Sequence, residues 1–325
     1  MSFYKDKKVL VAGGTGMIGR FLVDKLIEKG AKVRISSLDD ASRANPEAEF
    51  IKTDLTDYSN CLSACDNMDY VFNLLCVKGS PKIIAERPAS FFDSIALFNI
   101  NLLRAARKAG AERYFYTSTI GVYAPAEVFR EDDVWKTMPS KNDWFSGWAK
   151  RIGELQAGAY QVEFNWNKIS IARPANVYGP YDNFNPTNSM VVPSLIKRVV
   201  DGENPLIVWG NGSQVRDFVY AEDVAEGISL VLEKEYSLPV NLGSGTGYSI
   251  KNLAEVITAK IKNPPAVVWD ISKPQGDKRR VMDISRAKSL GWEPRTSLED
   301  GIEKTMKWYA ENKQITDDRY DVLKK

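Results

Sequence analysis

The chain has 325 residues, 44% hydrophobic and 26% charged, with a formal net charge of only +2. That balance fits a globular protein of one large domain or two, and it excludes a strongly basic nucleic-acid or membrane surface. The sequence contains no histidine, which removes His-based triads, histidine metal ligands and histidine acid–base catalysis. Proton transfer therefore falls to Tyr, Lys, Ser, Thr, Asp, Glu, Cys or water. The N-terminal stretch has no signal-peptide pattern and no segment reads as a membrane span, so a cytoplasmic location is expected. Cys61, Cys65 and Cys76 are odd in number with no pairing pattern, and packed, reduced thiols without a metal are expected.

In chain order, an apolar run at 9–12 breaks into GGTGMIG at 13–19, and 20–30 reads as an amphipathic helix closed by a glycine. Gly13, Gly16 and Gly19 between a strand and a helix make a pyrophosphate cradle. Missing side chains admit backbone N–H groups to the phosphates, and the helix dipole favours their charge. Strands are predicted at 32–36, 49–53, 69–75, 113–117 and 168–172, and a helix starts near 54–57. Long helices are predicted over 90–110 and 146–163. This alternation implies an α/β fold, a Rossmann doubly wound parallel sheet with ligands at the carboxyl ends of its strands.

After Pro174 the pattern becomes irregular over 174–190. Helices are then predicted at 193–200, 221–233, about 249–262 and 285–312, with strands at 205–209 and 240–244. The expected division is a cofactor domain of 1–172 plus about 215–245, and a smaller C-terminal substrate-binding lobe of about 173–214 plus 246–325. No internal repeat or low-complexity tract is present.

Several motifs occur together: GGTGMIG at 13–19, TSTIGVY at 117–123, Lys150, RPANVYGP at 173–180 and VWGNGSQVRDF at 208–218. Their order resembles the extended short-chain dehydrogenases that act on nucleotide sugars, and GPYDNF at 179–184 with KPQGD at 273–277 is most similar to the GDP-L-fucose synthase branch. The resemblance implies that Thr119 hydrogen-bonds the reacting sugar oxygen and that Lys150 holds the nicotinamide ribose. Gly13, Thr15, Gly16, Met17, Ile18, Gly19, Asp54, Leu55, Lys78, Thr117, Pro174, Asn176 and Val177 would line the cofactor. Asn176 would also face the substrate, Lys197, Arg198 and Arg216 would supply cations to its diphosphate, and Trp209 would stack on its base. Asp277, Lys278 and Arg279 would close over the ribose or base.

Departures from the family narrow the chemistry. The family's catalytic tyrosine lies four residues before its lysine, where this chain has Ser146. A serine hydroxyl is shorter and far less acidic than a phenol, so the base must be altered or imported, with Tyr123 one source. The Asp-Glu pair of the dehydratases is replaced by Ile120 and Gly121, and the epimerising cysteine and histidine by Gly121 and Met190. Hydride exchange at a sugar carbon, C4 by the family's geometry, is the surviving reaction, with a GDP-hexose or GDP-heptose as substrate. A C4 epimerase and a catalytically silent NAD(P) binder are the alternatives. Asp39 and Asp40 after the second strand favour NAD, while Arg34 and Arg43 leave NADP open. The resemblance also implies a homodimer through the helices at 90–110 and 146–163, which carry Phe91, Phe92, Ile95, Phe98, Ile152, Leu155 and Tyr160 as extra apolar residues, with burial against the parent sheet as the competing reading.

Overall fold

A computed structural model describes residues 2–77, 79, 81–273 and 276–315. Its first part alternates strands and helices: β1 (Lys8–Ala12), α1 (Met17–Glu28), β2 (Lys32–Ser37), β3 (Glu49–Lys52), α2 (Tyr58–Cys65), β4 (Tyr70–Asn73), α3 (Pro81–Glu86), α4 (Pro88–Lys108), β5 (Arg113–Thr117), α5 (Trp144–Phe164) and β6 (Ile169–Pro174). The remainder runs β7 (Asn176–Tyr178), α6 (Val191–Val200), β8 (Leu206–Trp209), β9 (Val215–Arg216), β10 (Phe218–Tyr220), α7 (Ala221–Glu233), β11 (Val240–Leu242), β12 (Tyr248–Ser249), α8 (Ile250–Thr258), β13 (Val267–Asp270), β14 (Arg279–Arg280), α9 (Ser285–Ser289) and α10 (Leu298–Glu311).

Seven strands form one parallel sheet in the order β11-β6-β5-β4-β1-β2-β3. The order reverses between β1 and β4, which opens a crevice at their carboxyl ends. Alternation along β1 decides which face each residue serves. Val9 and Val11 join the core beneath α1 and α7, whereas Leu10 and Ala12 join the core beneath α2, α4 and α5. A third core, with Phe184, Leu195, Ile196, Leu253 and Ile302, holds the later helices together.

The chain returns to the main sheet late, since α7 packs in the first core and β11 pairs with β6. Small sheets flank it: β10 with β7, β13 with β8, and β9 between β12 and β14. The single helix expected over 285–312 is two, α9 and α10. Gly291 at φ 93° ends the first, Pro294 intervenes, and the Ser297 hydroxyl accepts the Asp300 N–H to cap the second. The helix expected to start near 54–57 begins at Tyr58, because the Asp57 carboxylate accepts the Ser59 N–H as its cap. Cys61 and Cys65 are free and buried as expected, but Cys76 is exposed. Among the described residues, no helix is long and apolar enough to cross a membrane.

Candidate active site

The glycine turn leaves β1 and enters α1 within a few residues. Gly13 sits at φ 85°, a conformation that an L side chain rarely adopts. A Cβ on Gly19 would lie 2.2 Å from the Gly13 carbonyl oxygen, so the helix can approach the turn only because that position is bare. Gly16 is the N-cap of α1 and supplies no side-chain cap. The first-turn N–H groups are thus left for an acceptor, which suits a pyrophosphate. Met17 is buried at the start of that helix and Ile18 half-buried beside it.

The end of β2 turns back toward this loop. The Thr15 hydroxyl donates to Asp39 at 2.7 Å and pairs with Ser37 at 2.7 Å. Asp39 therefore stands beside the cradle. Asp40 instead caps the turn Ala41–Arg43 by accepting the Ser42 N–H at 3.0 Å. Arg34 bonds Glu49 at 2.8 Å and the carbonyls of Ala64 and Asp66. Asp54 bonds the Thr56 N–H and hydroxyl, and Leu55 is buried in the second core. Lys78 lies outside the described residues.

Lys150 projects from α5 to the segments that leave β4 and β5. Its Nζ donates to the Leu75 carbonyl at 3.0 Å and to the Thr117 carbonyl at 2.8 Å, with the side chain 2% exposed. Burial lowers its pKa, and nearby Cys76 and Glu154 only partly offset this. The Thr117 hydroxyl is buried and meets no partner among the described residues. Thr119 accepts the Gly121 N–H at 3.2 Å at the mouth of the same segment. Ser146, one turn before Lys150, donates to the Asp143 carbonyl at 3.3 Å. Lys150, Thr119 and Ser146 therefore share one wall of the crevice.

Tyr123 does not join them. Its hydroxyl donates to Asn241 at 2.6 Å and accepts from Arg173 at 3.0 Å, and its ring stacks on Phe129. Burial raises its pKa well above the ordinary value, despite the neighbouring Arg173. This corrects the expectation of Tyr123 as a source of the base. Beneath the wall, Arg173 pairs with Glu154 at 2.9 and 2.6 Å, and Ser118 donates to Glu154 at 2.5 Å. One face of α5 thus grips the 117–119 segment twice, through Lys150 and through Glu154 one turn later.

Beside this wall, β9 and β14 pair so that Arg216 neighbours Arg280. Arg280 Nη2 lies 2.5 Å from Asp143 Oδ2 and 2.5 Å from Asp277 Oδ2. Asp277 also accepts from Ser140 at 2.9 Å and Asn142 at 2.6 Å. Burial pushes the Asp277 carboxyl up, but Arg280 and these donors hold it below the usual carboxylate range. Burial together with Arg280 lowers the Arg216 guanidinium to about 10.

Arg279 faces away, donating to the Glu127 carbonyl at 2.9 Å. Arg280, which the sequence did not single out, is the strand residue beside Arg216, because successive strand residues point to opposite sides. That alternation was the one sequence signal for Arg280, and a helix-start aspartate was the signal for Asp143. Neither suffices without knowing the strand. Lys197 bonds Tyr309 at 2.9 Å and Asp201 at 3.2 Å, and Arg198 bonds the Glu203 carboxylate. Both nevertheless line a cavity of about 240 Å³ with Pro186, Ser189, Ser194 and Trp209, whose ring is half-exposed. The Asn176 amide donates to the Asp217 carbonyl at 2.9 Å. Pro174 ends β6 beside Leu242, and Val177 sits in β7. Met190 is the exposed N-cap residue of α6.

A doubly wound sheet, a bare glycine cradle at its switch point and a buried lysine beside it define a dinucleotide-binding oxidoreductase. The profile of the NAD dependent epimerase/dehydratase family matches residues 9–243, and the chain belongs to that family. It is 31% identical over 320 residues to GDP-L-fucose synthase 1 of Arabidopsis thaliana, covering 95% of this chain and 94% of that one. It is 29% identical over 326 residues to a dTDP-4-dehydro-6-deoxy-D-allose reductase of a Streptomyces species, covering 96% and 98%. The UDP-glucose 4-epimerase of Thermus thermophilus, solved in complex with NAD, superimposes with a TM-score of 0.81 at 26% identity over 93% of this chain and 98% of that one.

Proposed function

We propose that this enzyme transfers a hydride at C4 of a nucleotide-activated sugar, a GDP-hexose or GDP-heptose, with NAD as its cofactor. The observation that carries the reading is the asymmetry of the crevice. Its cradle and Lys150 are complete, while Ser146, Ile120, Gly121 and Met190 stand where dehydratase and epimerase groups would be. The relatives support a nucleotide sugar, and the Arg216–Arg280 pair offers two guanidiniums for a diphosphate.

When bound, the cofactor supplies a hydride acceptor or donor. Thr119 would orient the sugar oxygen, and Lys150 would hold the ribose while keeping positive charge near the reacting carbon. Ser146 leaves room where a phenol would stand. Asp39 beside Thr15 favours a 2′-hydroxyl over a 2′-phosphate. Asn176, Arg216 and Asp277 would border the substrate, and Trp209 in its cavity would take the base.

The test is incubation with NAD and a panel of GDP-sugars, followed by absorbance at the NADH band and mass analysis for a 4-keto product. No ketone and no cofactor reduction with any sugar would sink the reading. A product of unchanged mass and inverted C4 would select an epimerase, the reading favoured by the likeness to the UDP-glucose 4-epimerase.

We further propose a homodimer through α4 and α5. Phe91, Ile95 and Phe98 are buried in the chain's own core, so the contact falls to Leu97, Leu155 and Val162, which are exposed. Light scattering at the mass of a monomer would reject it. The domain division at about 173, with α7 and β11 returning to the cofactor side, is part of the same proposal.

A further inference from the structure

Moving a hydride to or from an alcohol carbon also moves the hydroxyl proton, and Ser146 cannot serve as the base. Tyr123 is buried in its own hydrogen bonds and Glu154 is consumed by Arg173 and Ser118. Asp143 is placed differently. It stands at the N-cap of α5, where an aspartate ordinarily accepts a first-turn N–H, yet its side chain caps nothing.

That side chain turns instead to Gly121. A Cβ built on Gly121 would lie 3.3 Å from Asp143 Cγ and 3.5 Å from its Oδ1, so the carboxylate fills the space beside the bare position. The Gly121 N–H is the group that holds the Thr119 hydroxyl, and the Asp143 carbonyl is the group that holds Ser146. Asp143 Oδ2 is buried and ion-paired to Arg280, but no described donor meets it in hydrogen-bonding geometry. The charged groups facing it are Arg280, with Asp277 and Arg216 behind.

Resting on the nucleotide-sugar reading above, we propose that Asp143 takes and returns the hydroxyl proton in place of the missing phenol. Arg280 holds the carboxylate until a substrate diphosphate draws that guanidinium toward Arg216. In the oxidative direction the sugar's O–H bond breaks and its proton passes to an Asp143 carboxylate oxygen. The C–O bond becomes a carbonyl, and the carbon-bound hydrogen leaves with its electron pair as the hydride that the cofactor accepts. Reduction reverses each transfer, so Asp143 begins protonated and ends ionised.

The experiment compares wild type, Asp143→Asn, Arg280→Gln and the double variant Asp143→Asn with Ser146→Tyr, using calorimetric GDP titration alongside turnover. Asp143→Asn is expected to bind GDP about tenfold more tightly, since Asp277 alone of the two carboxylates then competes with the diphosphate for Arg280, and to lose about 100-fold or more in kcat. Arg280→Gln breaks the same ion pair but is expected to weaken GDP binding, which separates charge competition from general unfolding. The double variant should recover part of kcat, with the acid limb of its pH profile moved to higher pH than in wild type. Unchanged turnover in Asp143→Asn, or GDP binding that does not tighten, overturns the proposal. A wild type that binds GDP but converts no nucleotide sugar overturns the functional reading, and the base role falls with it.

Discussion

The two walls of the crevice are built on opposite principles. The cradle wall is one contiguous turn, Gly13 to Gly19, which packs on its own backbone, on the end of β2 and Asp39 beyond it, and on Leu74 after β4. The facing wall joins Thr119, Asp143, Lys150, Asp277 and Arg280 from distant parts of the chain, and it is charged and partly buried. A phosphate needs only N–H groups and a dipole, which a short turn provides. A reacting sugar needs charge and proton acceptors at chosen points, which only converging segments provide.

The largest effect that sharpens this contrast is expected beneath the facing wall. Replacing Glu154 by Gln leaves the buried Arg173 guanidinium without its counter-charge, so stability should fall by about 3–5 kcal/mol in urea unfolding. A loss under about 1 kcal/mol would mean that this wall does not depend on its buried pair. Lys150→Ala should lower kcat by about 100-fold or more. Turnover equal to that of wild type would return the silent-binder alternative.

On the cradle side, Gly19→Ala must displace the Gly13 carbonyl, a strain of about 1–3 kcal/mol. NADH fluorescence titration should show affinity reduced by at least about fivefold. Equal affinity would break the claim that this wall has no spare room. The smallest effect concerns pH. Asp277 is held below the ordinary carboxylate value in the folded state, so its stabilisation is complete above that ordinary value. It is lost as pH falls through the depressed folded value. Thermal melts of wild type should therefore drop more steeply over that acid window than those of Asp277→Asn, and parallel curves would remove Asp277 from the account.

Much of the fold was legible because its signals are local. Three glycines at fixed spacing, alternating apolar runs and helix caps depend on neighbours in sequence, and the strands from β1 to β6 lie within a residue or two of their expected bounds. Errors arose where long-range packing overrides local pattern. The apolar Phe91, Ile95 and Phe98 fit an interface by pattern, but the parent core takes them. Tyr123 fits an imported base by residue type, but its ring is pulled beneath the wall by Phe129 and Arg173.

The sequence by itself determined that this chain builds a dinucleotide cradle on a doubly wound sheet and that it lacks the usual phenol at position 146. Tertiary structure alone decided which charges face that cradle. Arg280 rather than Arg279 meets Asp143 and Asp277 because a two-residue strand is registered one way against β9. Asp143 reaches Gly121 because α5 packs tightly on that turn through Gly147, where a Cβ would stand 2.4 Å from the Gly121 carbonyl. Such meetings depend on register and close packing between segments far apart in the chain, and no spacing within either segment records them.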